Sequence, residues 1–364
     1  MGRTVFVAWR DLRFAKGRFA LMGAVIVLIT LLVGLLSGLM AGLGRENTSA
    51  ITSLPADHLV FSSPDAAKGV SFTDSQLGQD TWRQWSQVPG VTSADPLGIS
   101  MTKGLAGKTS ASLSAFGVQP GSSLAPGDVK DGTIVLSTRA AEELGVEAGQ
   151  AITLSGHRMT IGAISGDAMY SHAPVVWTSL ADWQRLDAPA PATGAEQATA
   201  IALTTTSGAD LPAADAKLGT KTVTTGDSLQ AIGSFTAENG SLQLMRIFLF
   251  AISALVIGAF FTVWTIQRSG DIAVLKALGA STRYLLKDAL GQAVVLLALG
   301  TGIGTALAAA IGAAVGGSAV PFVLGAGTVL LPMAIMIALG ALGAALSIRR
   351  ITSVDPLTAL GAAR

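Results

Sequence analysis

Residues 19–43 read FALMGAVIVLITLLVGLLSGLMAGL, a run of 25 residues without a charge. A helix rises 1.5 Å per residue, so this run extends about 37 Å and exceeds the roughly 30 Å hydrocarbon core of a bilayer. A cleaved signal peptide also starts with basic residues, but its apolar region is shorter, and no small-residue cleavage site occurs here before Arg45. The run therefore predicts a transmembrane helix.

Composition and charge distribution predict three more spans. Hydrophobic residues make up 50% of the chain, mean hydropathy is +0.56 and only 13% of residues are charged, against about 25% in soluble domains. Charges are absent between Arg246 and Arg268 and between Asp288 and Arg349. The second gap is too long for one helix, and the segment GGSAVP at 316–321 divides it. The predicted spans are residues 19–43, 247–267, 290–315 and 327–348.

Basic residues near the span ends predict the orientation. Residues 1–18, 268–289 and 349–364 together carry twelve basic and four acidic side chains, a net charge of +8. The rest of the chain carries twelve basic and nineteen acidic side chains, a net charge of −7. We therefore expect a plasma-membrane protein with both termini in the cytoplasm and residues 44–246 outside.

The predicted fold class is a membrane α-helical protein with four transmembrane helices and an inserted extracytoplasmic α+β domain. Val5, Trp9 and Leu12 share a face, which predicts an interfacial helix before the first span. The segments outside the spans are a cytoplasmic interfacial helix at 1–18, the extracytoplasmic domain with its stalk at 44–246, a cytoplasmic coupling-helix loop at 268–289, a short external loop at 316–326 and a cytoplasmic tail at 349–364.

Short apolar stretches separated by turn residues indicate strands in the extracytoplasmic domain. HLVFSS at 58–63 is typical of a strand, and QAITLSGHRMTIGAI at 150–164 predicts a hairpin with Gly156 in its turn. Residues 138–144 predict a short helix that Gly145 terminates.

Several kinds of chemistry are disfavoured. The chain has no cysteine and three histidines, which excludes thiolate chemistry and disfavours a multi-histidine metal centre. The stretch from Gly104 to Thr109 resembles the end of a phosphate-binding loop, but Thr102 stands where the motif requires a glycine. We therefore predict no enzyme activity, no intrinsic cofactor and no nucleic-acid partner.

Three segments carry a family resemblance. Residues 268–300 read RSGDIAVLKALGASTRYLLKDALGQAVVLLALG, and residues 349–363 read RRITSVDPLTALGAA. These resemble the coupling helix with its following span, and the C-terminal segment, of FtsX/MacB-type permeases of ABC transporters. Residues 133–186, which begin TIVLSTRAAEELGVEAG, resemble the extracytoplasmic core domain of the same family.

The resemblance implies a homodimeric permease that works with two copies of a separate cytoplasmic ATPase, which binds ATP. It also implies mechanotransmission, in which ATP-driven closure of the ATPases moves the external domains. Residues 271–283 combine polar anchors with an apolar surface, which fits a docking element, although an ordinary amphipathic connector has the same pattern. The predicted ATPase-coupling residues are Asp271, Ile272, Val274, Leu275, Lys276, Leu278 and Arg283.

The segment SGDAMYSHAPVVWTSLADW at 165–183 is most similar to the haem-exporter branch of the family, which implies haem as the substrate. Two alternatives stay open. One is export of a macrolide, lipid or peptide. The other is regulation of an extracellular cell-wall hydrolase without transport.

A haem site needs an iron ligand, a flat apolar surface and cations for the propionates. Glu46 is the leading iron ligand because its carboxylate suits ferric iron, and Arg45 is positioned in sequence to meet a propionate. In a twofold dimer each residue would occur twice around one site. Gly34, Gly38 and Gly42 share a helix face. The predicted haem-binding residues are Glu46, Arg45, Asn47, Met40, Met245, Gly38 and Gly42.

Each candidate also has an ordinary structural interpretation. The glycine row is typical of close helix packing or of a small-xxx-small dimer face. Arg45 and Glu46 fit an interfacial helix end, and the two methionines fit packing or lipid contact. The sequence also favours surface or core positions for three further residues of the external domain, namely His58, Tyr170 and His172.

Overall fold

The computed structural model describes residues 16–63, 69–186, 196–267, 270, 274, 278–279, 281–315, 320–323 and 325–352. The chain divides into two compact units. The helical unit comprises residues 1–42 and 241–364, and the inserted domain comprises residues 43–240. The predicted interfacial helix at 1–18 and the tail at 349–364 lie almost entirely outside the described residues.

The described residues form eight α-helices and twelve strands. In chain order they are α1 Lys16–Thr52, β1 His58–Ser62, β2 Leu77–Gly78, α2 Gln79–Trp85, β3 Val91–Ala106, β4 Thr109–Val118, β5 Thr133–Leu136, α3 Thr138–Leu144, β6 Ala151–Leu154, β7 His157–Ile164, β8 Met169–Tyr170, β9 Ala173–Ser179, α4 Leu180–Leu186, β10 Gln197–Ala198, β11 Ala200–Thr205, α5 Leu211–Leu218, β12 Thr220–Thr224, α6 Gly233–Gln267, α7 Thr282–Val315 and α8 Ala326–Thr352.

In the part of the chain that the structure describes, four helices are long and apolar enough to cross a membrane, which confirms the predicted fold class. Two of them extend well beyond the predicted spans toward the inserted domain, and α7 begins at Thr282, within the predicted loop at 268–289. α1 continues from residue 43 to Thr52, and α6 begins at Gly233 rather than at residue 247. The extension of α1 and residues 233–240 of α6 belong to the inserted domain. Hydropathy finds only the apolar part of a helix, so the polar continuations were assigned to the domain and its stalk.

Glycines allow α1 and α7 to approach closely within the helical unit. A Cβ on Gly304 would lie 2.6 Å from the carbonyl oxygen of Val27, and one on Gly300 would lie 2.7 Å from the Ile26 side chain. In lipid, the hydrophobic effect does not drive helices together, so such close backbone packing is a principal source of association.

One lobe of the inserted domain has a ferredoxin-like arrangement. Its elements follow the order β1–α2–β3 and then β11–α5–β12, and its antiparallel sheet has the strand order β12–β1–β11–β3. This is the βαββαβ motif with the split arrangement of strands. The second lobe is inserted between β3 and β11.

Five strands of the second lobe and the strand β3, which both lobes share, close into a six-stranded ring. β3 pairs with β4, β4 with β9, β9 with β5, β5 with β7, and β7 with β6. The ring closes where β6 pairs with Gly104 and Leu105 of β3. Ring closure pairs strand edges that would otherwise be exposed. β6 and β7 are the predicted hairpin, and Gly156 in its turn has a φ of 88°.

Local signals define α3. Ser137 accepts a hydrogen bond from the amide of Ala140, and Gly145 ends the helix with a φ of 66° in the left-handed region. A serine N-cap and a glycine just past the last turn are the standard end signals of a helix. The structure confirms the predicted helix at residues 138–144 and thereby places Arg139 in its first turn.

An aromatic cluster forms part of the inserted domain's core. The ring of Phe116 meets Trp177 edge-on with centroids 5.0 Å apart, and it meets Tyr170 at 5.5 Å. The Phe72 ring also meets Tyr170 edge-on, with centroids 5.8 Å apart. Such edge-to-face contacts fix ring orientation. Tyr170 therefore anchors the end of β8 and the turn that follows it.

Candidate functional site

The turn after Tyr170 has an unusual backbone. Strands β8 and β9 pair through Tyr170 and Ala173, so Ser171 and His172 form a two-residue loop. Their φ angles are 51° and 62°, the left-handed values of a type I′ hairpin, which normally selects Asn-Gly. A non-glycine residue in this region costs about 1–3 kcal/mol, and such positions cluster at functional sites.

Hydrogen bonds attach this turn to α1. The amide of Ser171 donates to the carbonyl oxygen of Asn47 at 3.1 Å, and the amide of His172 donates to that of Glu46 at 3.2 Å. The Ser49 hydroxyl accepts from the amide of Met169 at 2.9 Å. These bonds offset the conformational cost of the turn.

The Glu46 carboxylate lies between the guanidinium of Arg139 and the imidazole of His172. Its Oε1 is 3.1 Å from Nη1 of Arg139, and its Oε2 is 3.7 Å from Nδ1 of His172. The Glu46 side chain is 16% exposed, and Arg139 also lies 3.6 Å from Glu143 of α3. A carboxylate has about four acceptor positions, so these contacts leave Glu46 able to accept another ligand.

The opposite edge of the His172 ring faces α6. Nε2 lies 3.0 Å from the carboxylate oxygens of Glu238; a carboxylate only accepts, so this bond forms in the tautomer that carries the proton on Nε2. The Asn47 amide donates to Glu238 at 3.4 Å and accepts from the Ser234 hydroxyl at 2.6 Å. α1, the hairpin turn and α6 therefore meet in one polar cluster.

We call this group the Glu46 cluster. It comprises Glu46, Asn47, Arg139, Ser171, His172, Ser234 and Glu238. It brings together two of the sequence-predicted residues and five that the sequence reasoning did not select. His172 had been assigned to the surface or core, and no local pattern connects Arg139, Ser234 or Glu238 with Glu46.

The Arg45 side chain does not belong to the Glu46 cluster. It forms an ion pair with Asp167, and both side chains are more than half exposed. Exposed pairs of this kind contribute only about 0–1 kcal/mol. The pair therefore leaves the Arg45 guanidinium available to exchange partners.

The predicted glycine row is packed within the chain. A Cβ on Gly38 would lie 2.3 Å from the Phe322 ring, and one on Gly42 would lie 2.0 Å from the carbonyl oxygen of Pro321. A Cβ on Gly34 would lie 2.8 Å from Ala308. The flat surface that the sequence offered to a porphyrin is therefore covered by the Pro321–Phe322 segment. Close packing, the alternative interpretation, explains these glycines.

The two methionine candidates belong to the helical unit. Met40 is half-buried on α1, and Met245 on α6 is 48% exposed. The structure gives neither of them a polar partner that indicates a ligand role among the described residues, so both stay predictions.

The described part of the predicted ATPase-coupling loop has apolar side chains facing outward. Val274 and Leu278 are both exposed, and Gly279 has a φ of 92°, which suits the predicted helix end. The remaining coupling candidates Asp271, Ile272, Leu275 and Lys276 lie outside the described residues, as does the side chain of Arg283.

Two cavities occur elsewhere in the inserted domain. One of about 540 Å³ lies between α2 and α5 and is lined by Arg83, Val88 and Lys217 among others. The other, of about 280 Å³, is bordered by Tyr170 and Trp183. Neither is lined by Glu46.

Two family profiles match the chain. The FtsX-like permease C-terminal profile matches residues 244–356, and the MacB-like periplasmic core domain profile matches residues 19–221. The second match covers more than half of the sequence. The chain therefore belongs to the FtsX/MacB-type family of ABC transporter permeases.

Individual relatives extend the similarity to the full length. The hemin transport system permease protein HrtB of Staphylococcus haemolyticus strain JCSC1435 is 27% identical over 363 residues, covering 98% of this chain and 99% of the relative. The protein with the same description from Staphylococcus epidermidis strain ATCC 12228 is 25% identical over 365 residues, again covering 98% and 99%.

Two solved structures are similar to part of the chain. The extracellular domain of the ABC-type transporter YknZ from Gram-positive bacteria has a TM-score of 0.33 and 12% identity, covering 46% of this chain and 97% of that one. The periplasmic region of MacB from Actinobacillus actinomycetemcomitans has a TM-score of 0.34 and 13% identity, covering 52% and 97%.

Proposed function

We propose that this permease is the membrane subunit of an efflux pump that expels haem from the outer leaflet. The observation that carries the proposal is the full-length similarity to permeases described as hemin transporters, at 27% identity over 98% of this chain. The family assignment implies an ABC ATPase partner in the cytoplasm, and the proposal adds that two copies of it drive a homodimer.

Glu46 is the proposed iron ligand. It is the carboxylate at the C-terminal end of α1, partly exposed and held between Arg139 and His172. Carboxylate oxygen is a hard ligand that suits ferric iron. In a twofold dimer, two copies of Glu46 approach one haem from opposite faces. Arg45, whose exposed pair with Asp167 exchanges readily, is the proposed partner of a haem propionate.

The other predicted ligands have weaker support. Asn47 is occupied within the Glu46 cluster, and we propose that it orients the site. Met40 and Met245 remain proposals as softer ligands. Gly38 and Gly42 contact Pro321 and Phe322, so their proposed contribution is to the packing of the first helix within the helical unit.

We also propose which side of the permease faces the cytoplasm and how the ATPases move its helices. The cytoplasmic side is assigned from the net charge of +8 on the termini and the 268–289 loop. We propose that the ATPases dock on residues 271–283, where Val274 and Leu278 present exposed apolar surface. Their closure tilts α1 and α6, both of which continue from the helical unit into the inserted domain.

The test is a haem titration of the purified full-length permease in detergent, followed by the Soret band. We expect saturable binding at one haem per dimer and its loss in Glu46→Ala. Glu142→Ala is the matched control, since Glu142 is an exposed acidic residue on α3. If binding persists in Glu46→Ala, Met40 or Met245 becomes the proposed iron ligand instead. Absence of saturable binding by the wild-type protein refutes haem as the substrate and favours a macrolide, lipid or peptide, or a regulatory role.

A further inference from the structure

One short turn connects two helices that flank the inserted domain. The backbone of Ser171 and His172 is bonded to Asn47 and Glu46 of α1. The side chains of the same two residues reach α6, through Ser171 Oγ to Ser234 Oγ at 2.8 Å and through His172 Nε2 to Glu238 at 3.0 Å. The turn therefore contacts both α1 and α6 in the inserted domain, and its contacts depend on the spacing of the two helices.

We propose that the Ser171–His172 turn is a positioning element that sets the Glu46 carboxylate, and that Glu238 on α6 holds this element in place through the imidazole of His172. Because Glu46 is the proposed haem ligand, the functional consequence of this arrangement rests on the proposed function. The arrangement itself rests only on contacts within the inserted domain.

The identity of the turn residues supports a role beyond chain reversal. A type I′ turn is least costly with Asn-Gly, yet this chain has Ser-His at both left-handed positions. Glycine would satisfy the backbone and would keep both amide bonds to α1. The side chains present instead provide a hydroxyl for Ser234 and a ring whose two nitrogens face Glu238 and Glu46.

The ring also explains how Glu46 is held. Arg139 of α3 contacts one carboxylate oxygen, and His172 lies near the other. If His172 is removed, Glu46 keeps the Arg139 contact on one side and loses the ring that lies 3.7 Å from its other oxygen, so its carboxylate is less confined. A ligand whose position is fixed in advance loses less conformational freedom on binding, so loosening it weakens binding without replacing the ligand.

Glu238 links this position to the second helix. It is half-exposed and reaches the cluster only through His172 and Asn47. When α6 moves relative to α1, these contacts separate, and the ring loses the partner that fixes its orientation. Movement of α6 would thus release Glu46 and lower the affinity for its ligand, as an export step requires.

The test combines hydrogen–deuterium exchange with haem titration on the full-length permease in detergent. The variants are His172→Ala and Glu238→Ala, and His157→Ala is the matched control because His157 is an exposed histidine that begins β7, directly after another hairpin turn. Without haem, we expect faster exchange of residues 169–173 in the two variants than in the wild type and the control. Unchanged exchange in Glu238→Ala would overturn the proposal.

With haem, we expect both variants to bind at least about ten-fold more weakly than the control, the usual loss for partners that orient a metal ligand. Their Soret maximum should match that of the wild type, since the ligand is retained, whereas Glu46→Ala removes the ligand. Affinities equal to that of the control would overturn the positioning role. If the wild-type protein binds no haem, the proposed function fails, and the exchange result alone decides whether Glu238 holds the turn.

Discussion

Substitution of Gly38 by alanine tests the packing of the first span. Its new Cβ would lie 2.3 Å from Cζ of Phe322 and 2.6 and 2.7 Å from the two Cε atoms. Carbon atoms pack comfortably at about 3.5–4.0 Å, so the ring must move by roughly 1 Å or more. Gly312 of α7 also packs closely on this ring, since a Cβ there would lie 2.1 Å from it, which restricts the movement.

We therefore expect Gly38→Ala to destabilise the helical unit by about 1–3 kcal/mol, the usual cost of overpacking. The assay is reversible unfolding by sodium dodecyl sulfate in mixed micelles, followed by circular dichroism. Gly302→Ala on α7 is the matched control, because a Cβ there would meet no atom within 4 Å. Phe322→Ala in the Gly38→Ala background should remove most of the excess cost, since the clash requires both groups.

A free energy of unfolding for Gly38→Ala within about 0.5 kcal/mol of that for Gly302→Ala would refute this reasoning. It would mean that the Pro321–Phe322 segment does not pack against α1. The glycine row would then be an open surface, available to a porphyrin or to a second copy of the chain.

Three further predictions concern the inserted domain, each measured by unfolding of the full-length protein. Burial raises the pKa of the Tyr170 phenol well above its ordinary value. Above pH 10 the phenol therefore ionises only in the unfolded state, and the free energy of unfolding should fall by up to about 1.4 kcal/mol per pH unit. Tyr170→Phe should remove this pH-dependent component. Ser137→Ala removes the N-cap of α3 and should cost about 1 kcal/mol at any pH. Asp182→Ala leaves the amide of Gly132 without its 2.7 Å acceptor and should cost about 1–3 kcal/mol, whereas no loss would show that water replaces it.

The helical part of the fold could be predicted because its signal is local. A charge-free stretch of sufficient length identifies a span, and the four apolar helices occur where such stretches occur. The ends of α1 and α6 were not predictable in this way, since polar residues continue both helices into the inserted domain. Residues 138–144 were predicted with Gly145 as the terminating residue, and the structure adds Ser137 as the N-cap of α3.

Closure of the six-stranded ring could not be predicted. It depends on pairing of Gly104 and Leu105 with β6, about fifty residues later in the chain, and neither strand carries a local mark of its partner. Periodicity predicted that the hairpin at 150–164 exists but not which strand it joins.

The candidate site was predicted only where its residues adjoin in sequence. Asn47 and Glu46 are neighbours, but His172 is 125 residues from Asn47 and Glu238 is 191 residues away. Only the folded hairpin brings them together. The glycine row shows the same limit, because its spacing predicts a smooth helix face but not that Phe322 covers it.

Haem export itself is best tested in proteoliposomes that contain the permease and its ATPase, with apomyoglobin enclosed in the lumen and haem supplied in the bilayer. Added ATP drives only those pumps whose cytoplasmic side faces outward, and these release substrate into the lumen. We predict an ATP-dependent gain of the holomyoglobin Soret band that Glu46→Ala abolishes and Glu142→Ala retains. ATP hydrolysis without any gain over the ATP-free control would contradict haem efflux by this permease.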